Sequence, residues 1–269
     1  MTKVALSGAG GNMGRILRVE LPKRGVDLRS AGGRSPLEPL RPGEDVTHGD
    51  LRNPDVVDRL LNGVGVLIHL AGTSVERPLP EIIENNLVAL HQVYEGARRN
   101  GVRRIVFASS NHAFGMYSVK DKLRLDAAFR PDGFYGLSKV WGEAMARMYW
   151  DKHGIEGISV RIGTAMGKPP ENFRQLSTWF GIEDLVDLMM RCIEAPEVGY
   201  TTVWGVSDNT RSYWDNTGER LGYRPRQNAE DYAAGILSQP NPLDPIAQQH
   251  QGGQFVTIDF TPMERRRKN

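Results

Sequence analysis

The sequence predicts an α/β fold in which a parallel sheet is covered on both faces by helices, and three observations predict it. A short apolar run at the start of the chain passes straight into glycines and then a helix. Apolar runs alternate with helix-period stretches up to Gly163. Two of those runs, "VGVLIHLAG" and "RRIVFASS", are apolar almost throughout, as strands covered on both faces are.

The elements follow in order. Residues 3–7 form the first strand, and "NMGRILRVEL" then sets Met13, Ile16, Leu17 and Leu21 at helical spacing. "VDLRSAG" is the second strand. "RNPDVVDRLLNG" is a helix with Asn53 as N-cap, Pro54 in its first turn and Gly63 at its end. After "VGVLIHLAG" a long helix runs from Pro80 to Asn100 and stops at Gly101, before the strand "RRIVFASS". "YGLSKVWGEAMARMYWDKHG" is a helix carrying Leu137, Trp141, Ala144, Met145 and Met148 on one face, and "GISVRIG" returns to the sheet.

Beyond Gly163 the alternation loosens into the Pro-rich loop "MGKPPENFR", the helix "IEDLVDLMMRCIEA" and the late strand "YTTVWGV". Residues 1–163 are therefore expected to form a Rossmann-type doubly wound core. Residues 164–269 are expected to form a small lobe over the ligand end of the sheet, not an independent domain.

A chain of 269 residues can bury a core without disulfide staples. Its 39% hydrophobic and 25% charged content is that of a soluble globular protein, and a net charge of +2 gives no ground for a nucleic-acid partner. The tail "ERRRKN" reads as solvated, and the lone Cys192, among helix-spaced apolar residues, as a buried small side chain. No apolar stretch approaches the ~20 residues of a membrane span, and a strand at the very start leaves no room for a signal peptide, so a cytoplasmic protein is expected. His48, His69, His91, His112, His153 and His250 show no ligand-like pairing, so no metal is expected, and Trp179, Trp204 and Trp214 read as packing residues.

Two motifs carry chemistry. In "SGAGGNMGR", Gly8, Gly11 and Gly14 stand between a strand and a helix. Glycine there permits a positive φ and lets the backbone approach a pyrophosphate resting on the helix N-terminus. In "YGLSK", Tyr135 and Lys139 lie four apart on one helical face, where an ammonium favours the phenolate. "FASSNH" brings Ser109 or Ser110 beside them. A serine hydroxyl, a phenol and a lysine near a nicotinamide suit proton removal from an alcohol during hydride transfer. Bringing a phenol from about 10 to about 7 requires roughly 4 kcal/mol, expected jointly from Lys139, Ser110 and the nicotinamide charge.

"GAGGNMG", "HLAG", "SSN" and "YGLSK", in this order, resemble the extended short-chain dehydrogenase/reductase superfamily. "LAGTSVERP", "RIVFASSNHAFGMY", "RPDGFYGLSK", "NFRQLSTWF" and "QHQGGQFV" are similar to the uronate dehydrogenases within it, over almost the whole chain. The resemblance implies oxidation of the anomeric C1 hydroxyl of an aldopyranose with an anionic C6 group to the aldonolactone, with hydride passing to NAD or NADP. It implies Tyr135 as base, Lys139 as its activator and a nicotinamide-ribose ligand, and Ser110 as the hydroxyl orienting the substrate oxygen. Gly8, Gly11, Asn12, Met13 and Gly14 would hold the diphosphate, with Gly33, Arg34 and Ser35 at the ribose and Asp50 and Leu51 near adenine. Leu70, Ala71, Gly72 and Ile162 would lie along the cofactor, with Asn86 or its neighbour Asn85. Ser74, Asn111, His112, Gly163, Thr164 and Arg174 would meet the sugar, Arg174 forming a fork on the C6 anion. A homo-oligomer is implied too. A nucleotide-sugar epimerase or dehydratase, or a non-catalytic cofactor sensor, are the other readings of the same constellation.

The chain departs from the uronate dehydrogenase pattern twice. Gly32 and Gly33, followed by Arg34, replace the aspartate that ends the second strand, so NADP is expected to be tolerated or preferred. "RIGTAMGKPPENFR" is one residue longer than the corresponding loop, has Thr164 and Ala165 in place of serine and cysteine, and adds Lys168. It is expected to line the C6 end and to admit a sulfonate such as that of sulfoquinovose.

Overall fold

The computed structural model describes residues 2–33, 37–40, 42–215 and 218–262. Seven strands form one sheet: β1 (Val4–Ser7), β2 (Leu28–Ala31), β3 (Asp45–Thr47), β4 (Val66–His69), β5 (Arg104–Ser110), β6 (Glu156–Ile162) and β7 (Tyr200–Gly205). Their order is β3-β2-β1-β4-β5-β6-β7, and every pair is parallel. This is the doubly wound Rossmann-type arrangement, in which the direction of winding reverses between β1 and β4. Ser7 pairs with both Ala31 and His69, and Ile162 with both Ser110 and Gly205, so the loops after these strands leave along one edge.

Alternation along the strands divides the core. Val4, Leu6, Ile68, Val106, Ile158 and Val160 face α1 (Asn12–Lys23) and α7 (Ile182–Glu194), against Leu17, Leu21, Leu185 and Leu188. Ala5, Leu67, Ile105 and Phe107 face the opposite layer, against Val57, Leu60 and Leu61 of α2 (Pro54–Leu61), Val93 and Tyr94 of α4 (Ala89–Arg99), and Met145 and Tyr149 of α5 (Phe134–His153). A period of two on the strands against 3.6 on the helices produces both clusters. Asn53 caps α2 as its sequence predicts, its side chain accepting from Asp55 N. Cys192 is buried in α7, its thiol pushed up to about 12 by burial.

Three elements differ from the sequence expectation. β3 spans three residues, too few to show alternation. The expected helix over 80–100 is α3 (Leu79–Ile82), a π-helical turn (Ile83–Val88) and α4 in unbroken succession. The π turn adds a residue per turn and brings Asn85 and Asn86 round toward the sheet edge. On α5, Leu137, Trp141 and Met148 are about half exposed, because Gly142, Met145, Ala146 and Tyr149 form the face that packs on the sheet. A Cβ at Gly142 would enter the Phe107 ring.

Where β2 passes to β3 the chain is tied by a buried ion pair. Arg18 of α1 donates to Glu44 Oε1 at 2.8 Å and Oε2 at 2.7 Å, while Leu40 N and Ser30 Oγ donate to the same carboxylate. Burial pushes the Glu44 carboxyl up, but these donors and the Arg18 charge outweigh it and hold it at about 2. A carboxyl held down on folding contributes stability above its ordinary value of 4.5, and loses it as pH falls through about 2. Urea denaturation should therefore show Glu44→Gln less stable by about 3 kcal/mol at pH 7, with the gap to wild type closing between pH 4.5 and 2.

Candidate active site

The cleft begins at the glycine turn. Gly8 has φ 72°, and a Cβ there would lie 2.7 Å from Ala71 N and the Leu70 carbonyl carbon, so the turns after β1 and β4 meet as bare backbone. A Cβ at Gly14 would enter the Gly8 carbonyl and Ala9. α1 opens at Gly11 with no side-chain cap and no acidic residue in its first turn, which leaves its N–H groups facing the cleft. This turn, tight enough that a Cβ at Gly8 or Gly14 would strike backbone, fits a dinucleotide diphosphate at the start of α1.

A cleft of about 730 Å³ runs from there along the strand ends. Gly8, Gly11, Asn12, Met13 and Gly14 line it, as do Gly33, Asp50, Leu51, Leu70, Ala71, Gly72 and Ile162. Further along, Ser74, Ser110, His112, Tyr135, Lys139, Gly163, Thr164 and Arg174 share the same wall. Two expected residues lie behind it. Asn86 is buried, its amide accepting from Thr73 N at 2.7 Å and donating to Ser138 Oγ at 2.9 Å, while its neighbour Asn85 stands on the wall. Asn111 is 1% exposed and, with its amide oxygen toward Arg174, accepts from Nη2 at 2.7 Å and donates to Ile162 O at 3.0 Å. Arg34 and Ser35 lie outside the described residues.

Ser110, Tyr135 and Lys139 meet where β5 ends and α5 begins. Burial pushes the Tyr135 phenol up to about 12; its hydrogen bond with Ser110 opposes the rise and the Asp132 charge adds to it. Lys139 donates from Nζ to Ala108 O at 2.8 Å and sits over the Tyr135 ring, 5.3 Å from its centroid. Burial pulls its ammonium down to about 8. The expected lowering of the phenol by Lys139 is thus not present in the chain itself. The four-residue spacing puts both side chains on one face, but Nζ reaches a strand carbonyl and faces the ring. His69, below them, is pulled down to about 3 by burial and by the Lys139 charge, so it is neutral.

At the far end stands Arg174. Its Nε donates to Gln251 O at 2.8 Å, Nη1 reaches Thr164 Oγ1 at 3.4 Å and Nη2 reaches Asn111. No carboxylate among the described residues forms an ion pair with it. A Cβ at Gly253, where φ is 61°, would lie 2.5 Å from Arg174 Cδ, so glycine makes room for the side chain. Lys168, expected at this end, lies at the surface with Nζ on Glu171 Oε1 at 2.7 Å and takes no part in the wall.

Several wall residues carried no signal in the sequence. Phe255 reaches the cleft from the C-terminal segment and stacks on His112 at 3.9 Å, although "QHQGGQFV" was informative only as a likeness. Arg52 lines the adenine end, its guanidinium on Asp50 and Glu84. Met166 approaches Asn12 across the glycine turn. Glu76 is missed because its role is non-local: α5 starts at Gly133 without a side-chain cap, and the Glu76 carboxylate accepts from Phe134 N and Tyr135 N at 2.9 Å each. The loop carrying Ser74 thereby sets the start of the helix carrying Tyr135. Among the described residues no group of three His, Cys, Asp or Glu side chains is placed to hold a metal ion, and no helix is long and apolar enough to cross a membrane.

Comparison with known proteins adds four findings. The model of the NAD dependent epimerase/dehydratase family matches residues 4–215. The chain is 41% identical over 256 residues to a uronate dehydrogenase of Pseudomonas syringae pv. tomato, covering 94% of this chain and 93% of that one. It superposes on the crystal structure of uronate dehydrogenase from Agrobacterium tumefaciens with a TM-score of 0.90 and 41% identity, over 98% of each chain. A mutant of that enzyme complexed with NAD also gives a TM-score of 0.90, with 40% identity over 98% of each chain.

Replacing Glu76 by Ala should cost about 1 kcal/mol of stability in urea denaturation, as loss of a helix cap does. It should also lower kcat while leaving nucleotide affinity near wild type, because the change is felt at the first turn of α5.

Proposed function

This chain belongs to the NAD dependent epimerase/dehydratase family, and on that premise we propose that it oxidises C1 of an aldopyranose bearing a C6 carboxylate to the aldonolactone, with NAD as oxidant. Arg174 carries this reading. It is a guanidinium of the cleft wall, aligned by Gln251, Thr164 and Asn111, with no acidic partner among the described residues, so an anionic substrate group completes its pairing.

The chain's residues divide the work. Arg174 fixes the sugar by its C6 end, which leaves C1 toward Tyr135. Ser110 holds the C1 oxygen beside the phenol, and Tyr135 takes the hydroxyl proton. Lys139, with Nζ on Ala108 O and over the Tyr135 ring, would donate to a hydroxyl of the nicotinamide ribose. When bound, NAD would supply the hydride acceptor and a positive charge that favours the phenolate. Gly8, Gly11 and Gly14 would hold the cofactor's diphosphate against α1, and Gly72, where φ is 127°, leaves room for the Asn86 side chain behind the turn after β4.

A planar carboxylate matches the single guanidinium fork better than a sulfonate, whose third oxygen finds no partner once Lys168 is paired with Glu171 outside the cleft. At the ribose, Gly32 and Gly33 line the cleft beyond β2 without an acidic side chain, which favours tolerance of NADP beside NAD. Residues 164–269 we read as completing the substrate end of the cleft. The exposed stripe Leu137, Trp141 and Met148 on α5 supports a homo-oligomer through that face.

Initial rates with both nucleotides against glucuronate, galacturonate, glucose and sulfoquinovose test the reading. Uronates should exceed glucose in kcat/KM by about 100-fold or more, and turnover of sulfoquinovose above the uronates would overturn the carboxylate assignment. Net accumulation of reduced nicotinamide separates a dehydrogenase from an epimerase, and cofactor binding without turnover of any sugar acid would indicate a sensor. Tyr135→Phe should lower kcat by about 1000-fold while nucleotide affinity stays within about twofold. Arg34→Ala should weaken NADP more than NAD; an equal loss would refute a ribose-phosphate contact.

A further inference from the structure

Asp132 has no part in the reading above, yet it is a buried acid beside the cleft residue His112. Its side chain is fully buried, and Oδ2 lies 2.7 Å from His112 Nδ1. Three glycines make room for it: a Cβ on Gly115 or Gly252 would collide with Oδ2, and one on Gly136 would collide with the His112 carbonyl and crowd Oδ1. Oδ1 has no hydrogen-bond partner. A buried carboxylate oxygen left unpaired costs stability, so packing alone does not account for this acid.

The pairing dictates a tautomer. An ionised carboxylate only accepts, so Nδ1 carries the proton, and in the neutral imidazole Nε2 is left with a bare lone pair. The ring's plane is fixed as well. It stacks on Phe255 at 3.9 Å, meets Tyr135 edge-on at 5.7 Å and forms part of the cleft wall. Among the described residues no hydrogen bond reaches Nε2.

We propose that Asp132 is a positioning residue that holds His112 in the Nδ1–H form, so that Nε2 accepts a hydrogen bond from the sugar hydroxyl next to the reacting C1. This rests on the sugar-acid reading above. Nε2 is then a specificity element: it favours a hydroxyl, which can donate, and disfavours a substituent of similar size that can only accept. The contact is made before the reaction as well as during it, so its loss falls mainly on KM.

The tautomer can be read directly from long-range proton–nitrogen correlations of the full-length protein labelled with nitrogen-15 histidine, with His112 assigned by its loss in His112→Gln. Wild type should show the Nδ1–H form, and Asp132→Asn, whose amide N–H can donate to Nδ1, should move the proton to Nε2. In that variant KM for glucuronate should rise about tenfold, with a smaller change in kcat and unchanged NAD affinity. An Nε2–H form in wild type, or an unchanged KM after the proton has moved, would overturn the proposal. If Asp132→Asn does not fold, wild type decides: glucuronate should exceed its 2-deoxy-2-fluoro analogue about tenfold or more in kcat/KM, and parity would overturn it. Failure of wild type to oxidise any sugar acid would defeat the functional reading instead, and the tautomer would still be measured.

Discussion

Backbone meets backbone where the strand order reverses, and the geometry of the whole cleft depends on that contact. The turn after β1 lies against the peptide joining Leu70 and Ala71 with no side chain between them, because Gly8 has none and adopts a φ open to glycine. Were the turns spread by one methyl group, α1 would be pushed off the sheet, and its unpaired N–H groups would no longer face the groove between β1 and β4. The parallel register then brings the turns after β1, β2, β4, β5 and β6 to one edge. The glycine turn, the group of Ser110, Tyr135 and Lys139, and Arg174 are stations along a single line.

Side chains on that line are aimed by partners that do not touch a ligand. Glu76 closes the start of α5, Asn111 and Gln251 point Arg174, Asn86 fixes the turn that carries Thr73, and Asp132 holds His112. Each is a polar group hydrogen-bonded inside the protein, and each removes rotational freedom from a neighbour at the cleft. A site arranged this way spends little of its binding energy on ordering itself.

The electrostatics of the site run against the simplest picture of a tyrosine base. Burial raises the Tyr135 phenol and lowers the Lys139 ammonium, each shift working against the charged form. The same burial lowers the local dielectric and strengthens the effect of any cation that arrives beside the ring.

By itself the sequence determined the alternation of strands and helices, the glycine turn, the Tyr135–Lys139 face and the cap at Asn53. These are properties of a few neighbouring residues, set by helical and strand periods and by the stereochemistry of turns. Only the tertiary structure decided which acid caps α5, 58 positions before Phe134, and which carbonyl holds Arg174, 77 positions away at Gln251. It alone turned Lys168 outward, placed Asn85 in front of Asn86, left Leu137 and Trp141 exposed and brought Phe255 onto His112. The physical reason is common to all of these. Direction of a side chain, depth of burial and the proton affinity that follows from it are set by groups distant in the chain, and they exist only once the sheet has brought those groups together.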